Sequence, residues 1–142
     1  MLARMRAEAI FAPVSVLALW TGVVVLVTGA RRIRAVRMRR VSRGAFRMGE
    51  APEVPEDVAV ANRNLMNLLE MPILFYVVTI CFYVTHHVGK GPVVLAWIYV
   101  GLRLLHSLEH LTTNHVLRRL TAFALSNFVL VALWIRFVRA TF

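Results

Sequence analysis

The chain has 142 residues, 59% of them hydrophobic, a formal net charge of +10 and a mean hydropathy of +0.68. That is short enough for one domain and more apolar than a soluble domain, which runs to roughly 45–50% apolar. The placement of the positive charge argues against a nucleic-acid module: the arginines cluster between apolar segments, and no aromatic-interleaved basic module is present.

Four runs approach the roughly 20 apolar residues that cross a bilayer core of about 30 Å. They are Ile10–Ala30, Val58–Thr85, Pro92–Leu111 and Leu120–Val138. They predict an all-α integral membrane four-helix bundle, antiparallel up-down, forming a single domain over 1–142. The helices are expected at about 10–30, 58–85, 92–112 and 117–139, with a loop at about 31–57. The first run is longer than the roughly 7–15 residues of a signal-peptide core and is followed at once by arginines, so it reads as a retained transmembrane helix.

The loop opens with eight arginines, Arg31, Arg32, Arg34, Arg37, Arg39, Arg40, Arg43 and Arg47. Arg118 and Arg119 follow the third run, whereas Arg4, Arg6, Lys90, Arg136 and Arg139 fall on the opposite side. The positive-inside rule then places both termini outside and the loop and third turn in the cytoplasm, as expected of a protein of the cell inner membrane. Past Arg47 the loop reads GEAPEVPED. Pro52 and Pro55 stop helix there, and Glu56 and Asp57 suit the positive N-terminal end of the next helix. HHVGKGP, with Gly89, Gly91 and Pro92, predicts a short turn that makes the second and third runs an antiparallel hairpin.

The second run begins NRNLMNLLE. Arg63, Asn67 and Glu70 lie at i, i+4 and i+7 on one helical face, with Arg63 and Glu70 about 10 Å apart along the axis. A charge at membrane depth costs about 2.5–3.5 kcal/mol even on the mildest scale, so the stripe is expected to line a polar cavity or join a buried network. Arg63 alone has room to snorkel; Glu70 is too short and too deep. In the third run Arg103, His106 and His110 form a second stripe at i, i+3 and i+7, at the same end of the bundle. Glu109 lies about 100° off that face. No metal site is expected, because His106 and His110 lack a third ligand at a telling spacing and HExxH is absent. Cys81 is the sole cysteine and cannot form an intrachain disulfide. Gly22, Gly29, Gly101 and Ser107 are small residues that allow close helix approach.

With both stripes in view, the chain resembles the family of membrane-associated proteins in eicosanoid and glutathione metabolism, MAPEG. It looks like a bacterial-type member similar to the microsomal glutathione transferases and the leukotriene C synthase. RNLMNLLEMP, Arg63–Pro72, is similar to the family's helix-two signature; GARRIR, Gly29–Arg34, looks like the end of helix one in the synthase branch; Arg103 matches the helix-three arginine. The resemblance implies a homotrimer in membrane lipid. It also implies glutathione as co-substrate and a transferase or peroxidase activity on a lipophilic small molecule. Glutathione would be held by Arg31, Arg32, Arg63, Asn67, Glu70, Arg103, His106 and His110, its thiolate stabilised by Arg118 or Arg119. Arg118 is the nearer to the family's helix-four arginine after a one-residue shift. His106 and His110 stand where the synthase branch has tyrosines, and Met71 where it has another. A non-catalytic protein of the same fold that binds a lipid or other anionic ligand is the competing reading. A proton or solute transporter is a third, weakened by the lack of discontinuous helices.

Overall fold

A computed structural model describes residues 6–47 and 51–142. Arg4 and Glu50, named above, lie outside the described residues. A 3₁₀ turn, Ala7–Ile10, leads into α1, Phe11–Arg37. A second 3₁₀ turn, Arg43–Phe46, lies in the loop. Then follow α2 (Glu56–Glu70), α3 (Pro72–Val84), α4 (Lys90–Leu111) and α5 (Val116–Thr141). The described residues are helical with no strand, and four helical stretches are long and apolar enough to span a membrane: Ala7–Arg37, Glu56–Val84, Lys90–Leu111 and Val116–Thr141.

α1 continues beyond Ala30 to Arg37, so Arg31 and Arg32 sit inside the helix. Arginine and alanine are good helix formers and arginines favour a helix C-terminus. No breaker intervenes before Arg39, whose φ of 55° turns the chain. In the loop Arg40 donates to both carboxylate oxygens of Asp57, at 2.8 and 3.2 Å, and this bond raises the Arg40 pKa above its ordinary value. Val54 and Val58 pack on Ala35 beneath it, with Phe46 against them. Glu56 and Asp57 occupy the first turn of α2.

The second span is interrupted at Met71. Pro72 has no N–H to donate and its ring crowds the preceding turn, so α2 ends at Glu70 and α3 starts at Pro72. Carbonyls in a helix's last turn lack helical partners, and this leaves the Asn67 carbonyl accessible to another helix. α4 begins at Lys90, two residues earlier than Pro92, because a proline is tolerated in a first turn. Within the spans, hydroxyls bond back along their own helix: Thr21 to Leu17, Thr28 to Val24 and Thr79 to Phe75, at 2.8–3.0 Å. With no water in the bilayer core, this is how a lone hydroxyl is satisfied.

The core is centred on α4. Ala96, Tyr99 and Val100 pack with Leu17 and Val24 of α1, Phe75, Val78 and Phe82 of α3, and Leu130 and Leu133 of α5. α4 is the most enclosed span, whereas α1 and α5 expose large apolar side chains such as Leu19, Leu26 and Phe128, each more than 70% exposed. α4 and α5 lie together along their length: His106 meets Arg119 near the connecting turn, and Gly91 meets Arg136 at the far end.

Candidate functional site

Two polar assemblies occupy the half of the bundle nearest the 112–115 turn. The first is a lock between three helices. Ser107 Oγ of α4 accepts from Trp20 Nε1 of α1 at 2.8 Å and from Asn64 Nδ2 of α2 at 2.8 Å. Ser107 and Asn64 are fully buried. From the sequence Ser107 is only a small residue and Asn64 has no evident role; the signal for Asn64 is the recurrence of Ala61, Asn64 and Leu68 at i, i+3 and i+7, the buried face of α2. Gly22, Gly29 and Gly101 have open space where a Cβ would sit, so they do not make close approaches within this chain.

The second assembly surrounds a cleft of about 220 Å³ lined by Asn67, His106, His110, Arg119, Phe123 and aliphatic residues of α5. Arg103 lies just behind its wall. It is fully buried, its Nη2 donates to the Asn67 carbonyl freed near the helix break, and its guanidinium stacks 5.6 Å from the Phe123 ring. Among the described residues Arg103 Nε and Nη1 have no hydrogen-bond partner. One turn before it, Tyr99 is buried against Phe75 with its hydroxyl unpartnered.

His106 Nδ1 lies 2.9 Å from the Arg119 carbonyl. A carbonyl only accepts, so Nδ1 carries the proton, and Nε2 of the neutral ring is an acceptor. That Nε2 is buried and has no hydrogen-bond partner among the described residues. His110 stands edge-on to His106, ring centroids 4.9 Å apart. Arg119 Nη1 donates to Asn114 Oδ1 and reaches within 3.5 Å of His110 Nδ1. Asn114, in the left-handed region at φ 51°, is placed by the turn that ends α4.

Thus Asn67, His106, His110 and Arg119 are brought together, with Arg103 behind them. The other residues singled out from the sequence fall elsewhere. Arg63 and Glu70 flank Asn67 along α2 but are exposed on the outer surface of the chain, not enclosed by it. Asn67 Nδ2 donates to its own helix at the Arg63 carbonyl, 2.9 Å away. Arg118 turns away from the cleft toward Glu109, at 3.7 Å. Arg31 is a clasp, donating to the Asp57 carbonyl at 2.8 Å and the Leu111 carbonyl at 3.2 Å. Arg32 donates to Asn62 Oδ1 at 2.8 Å and lies over the Phe46 ring. Among the described residues no three His, Cys, Asp or Glu side chains stand close enough together to hold a metal ion.

The donor set has a definite complement. A buried guanidinium with two free nitrogens fits an anionic oxygen pair. A buried imidazole lone pair fits a hydrogen-bond donor. One ligand offering both a carboxylate and an N–H or S–H would satisfy the site.

No curated protein and no solved structure matches the chain. The model of the MAPEG family matches it over residues 10–139, which covers nearly all of the four spans and both polar assemblies. The chain is an integral membrane protein of the MAPEG family.

Proposed function

We propose that this protein is a membrane-embedded glutathione-dependent transferase or peroxidase acting on a lipophilic substrate that enters from the bilayer. The observation that carries the reading is the unpaired polarity of the cleft and its wall: His106 Nε2 at the cleft, and Arg103 Nε and Nη1 just behind it, where Arg103 bonds the carbonyl of Asn67, a lining residue. Leaving such groups unmade costs about 1–3 kcal/mol each, more for charged ones. A tripeptide with two carboxylates, amide N–H groups and a thiol supplies what they lack. Family membership supports the same ligand.

In this reading Arg103 takes a carboxylate and Asn67 a peptide group. His106 accepts a hydrogen bond from the ligand, where a tyrosine would have donated one. His110 closes the far wall. Arg119 stands at the mouth and favours the thiolate, since an opposite charge within about 4–6 Å stabilises the charged form. Arg119 replaces Arg118 in this role because it lines the cleft while Arg118 faces Glu109.

The assembly proposed is an up-down bundle joined as a homotrimer, with the loop and the 112–115 turn on the cytoplasmic side of the inner membrane. Arg63 and Glu70 support it. Both are exposed on the single chain within a span, with the apolar and likewise exposed Met66 and Leu69 between them. Charge there is costly in lipid, and a neighbouring copy would cover that face and bring Arg63 and Glu70 to the ligand. Native mass spectrometry from mild detergent checks this; a monomer contradicts it.

The thiolate absorbance of bound glutathione, titrated against pH, tests the chemistry. The expected result is a thiol pKa below that of free glutathione in the wild type, returning toward the free value in Arg119→Ala and unchanged in Arg118→Ala. Bound glutathione with an unshifted thiol in the wild type would refute the enzyme reading while leaving the binding site in place.

A further inference from the structure

A further cleft lies at the other end of the bundle. Its volume is about 590 Å³, and it is lined by Leu95 of α4 and by Ala132, Ile135, Arg136, Arg139 and Ala140 of α5. Arg136 and Arg139 are three residues apart on one edge of α5 and both are exposed. Neither has a hydrogen bond or an ion pair among the described residues. The guanidinium of Arg136 is laid flat over Gly91: a Cβ there would come within 2.5 Å of Nη2 and 2.6 Å of Cζ. Gly91 belongs to the first turn of α4, and that turn, beginning at Lys90, contains no acidic residue. The chain therefore packs a cation against the positive end of a helix, beside a second arginine and next to a lysine. The α4 N-terminus and the neighbouring cations disfavour the Arg136 charge, whereas Arg139 gains some compensation from the C-terminal turn of α5. The missing component is an anion, and the wall beside it is aliphatic.

We propose that this cleft binds one anionic phospholipid from the surrounding leaflet. Its phosphate bridges Arg136 and Arg139, and an acyl chain runs along Leu95, Ala132 and Ile135. The guanidinium fork matches phosphate oxygens, and basic pockets between membrane helices are suited to charged headgroups. A free phosphate would satisfy the arginines but leave the apolar wall unused. The site stands apart from the His106 cleft and does not depend on what that cleft binds.

The test is native mass spectrometry of the full chain, released from micelles doped with phosphatidylglycerol or with phosphatidylcholine, alongside thermal melts in the same mixtures. The wild type should retain one phosphatidylglycerol per chain and melt at a higher temperature with it, and phosphatidylcholine should do neither. Arg136→Gln with Arg139→Gln should lose about tenfold or more in retention, since two charge-assisted contacts go. Ala132→Trp, at an exposed position, keeps both charges and fills the groove; it should lose retention as well. The lipid-free melts of both variants show that each is folded. Equal retention of the two lipids would overturn the proposal, as would a double variant that retains phosphatidylglycerol like the wild type. Ala132→Trp binding the lipid normally would reduce the arginines to general headgroup anchors. Stabilisation by inorganic phosphate alone to the same extent would also refute a lipid site.

Discussion

The lock at Ser107 and the cleft at His106 are neighbours on one helix, built from similar materials, yet they close differently. In the lock, one hydroxyl gathers a donor from each of two other helices, and a single polar atom, Asn64 Oδ1, is left over. Behind the cleft wall a fully buried arginine keeps two nitrogens unpaired among the described residues, and His106, which lines the cleft, keeps its lone pair unpaired. A polar group that is only structural tends to be paired by the fold, because nothing else in lipid can pair it. The side that stays open, and that adjoins space, is the side left for a ligand.

This contrast separates two kinds of substitution. The largest effect is expected from Arg103→Met, and in opposite senses for two observables. Glutathione affinity should fall by about 10–100-fold, the value of a charge-assisted hydrogen bond of roughly 1.5–3 kcal/mol. Thermal stability should hold or rise, because an underpaired buried charge is replaced by an apolar chain of similar length. Loss of both together would make Arg103 part of the lock. Ser107→Ala should do the reverse. It orphans the Trp20 and Asn64 donors and should cost about 1–2 kcal/mol of stability by thermal melting, with affinity per folded molecule retained.

A subtler effect concerns the outer face of α2. Arg63→Ala and Glu70→Ala should each weaken glutathione binding, and the double variant should fall short of the sum by at least about 0.5 kcal/mol, because groups serving one ligand couple. Strict additivity in calorimetric affinities would remove them from a shared site. The smallest effect is predicted for Asp57→Asn. The Arg40–Asp57 pair is solvent-exposed at its surface, with side chains 42% and 49% accessible. Such pairs contribute little and are screened by salt. Its melting temperature should differ from wild type only at low ionic strength.

Much of this contrast was hidden in the sequence, though the frame around it was not. The spans were legible because crossing a bilayer demands long apolar runs, and the acidic entry to α2 because a helix N-terminus favours carboxylates. Spacing put Arg103, His106 and His110 on one face, and that face is buried. Spacing also put Arg63, Asn67 and Glu70 on one face, but periodicity does not say which neighbour covers it. Arg63 and Asn64 differ by about 100° around the axis, and it is Asn64 that turns into the core. Arg118 and Arg119 pose the same difficulty. Their phase depends on where α5 begins, set by the Asn114 turn, and a one-residue shift exchanges the arginine in the cleft for the one on the surface. The lock was invisible because Ser107 reads as a small residue until Trp20 and Asn64, 87 and 43 residues away, are brought to it.

The central claim is that the open polarity beside His106 is a glutathione site. Isothermal titration calorimetry of the detergent-solubilised protein with glutathione tests it most directly. The account predicts saturable binding to the wild type and to folded Ser107→Ala, and binding weaker by about 10–100-fold to folded Arg103→Met. Absence of binding to the wild type, or binding undiminished in Arg103→Met, would contradict it.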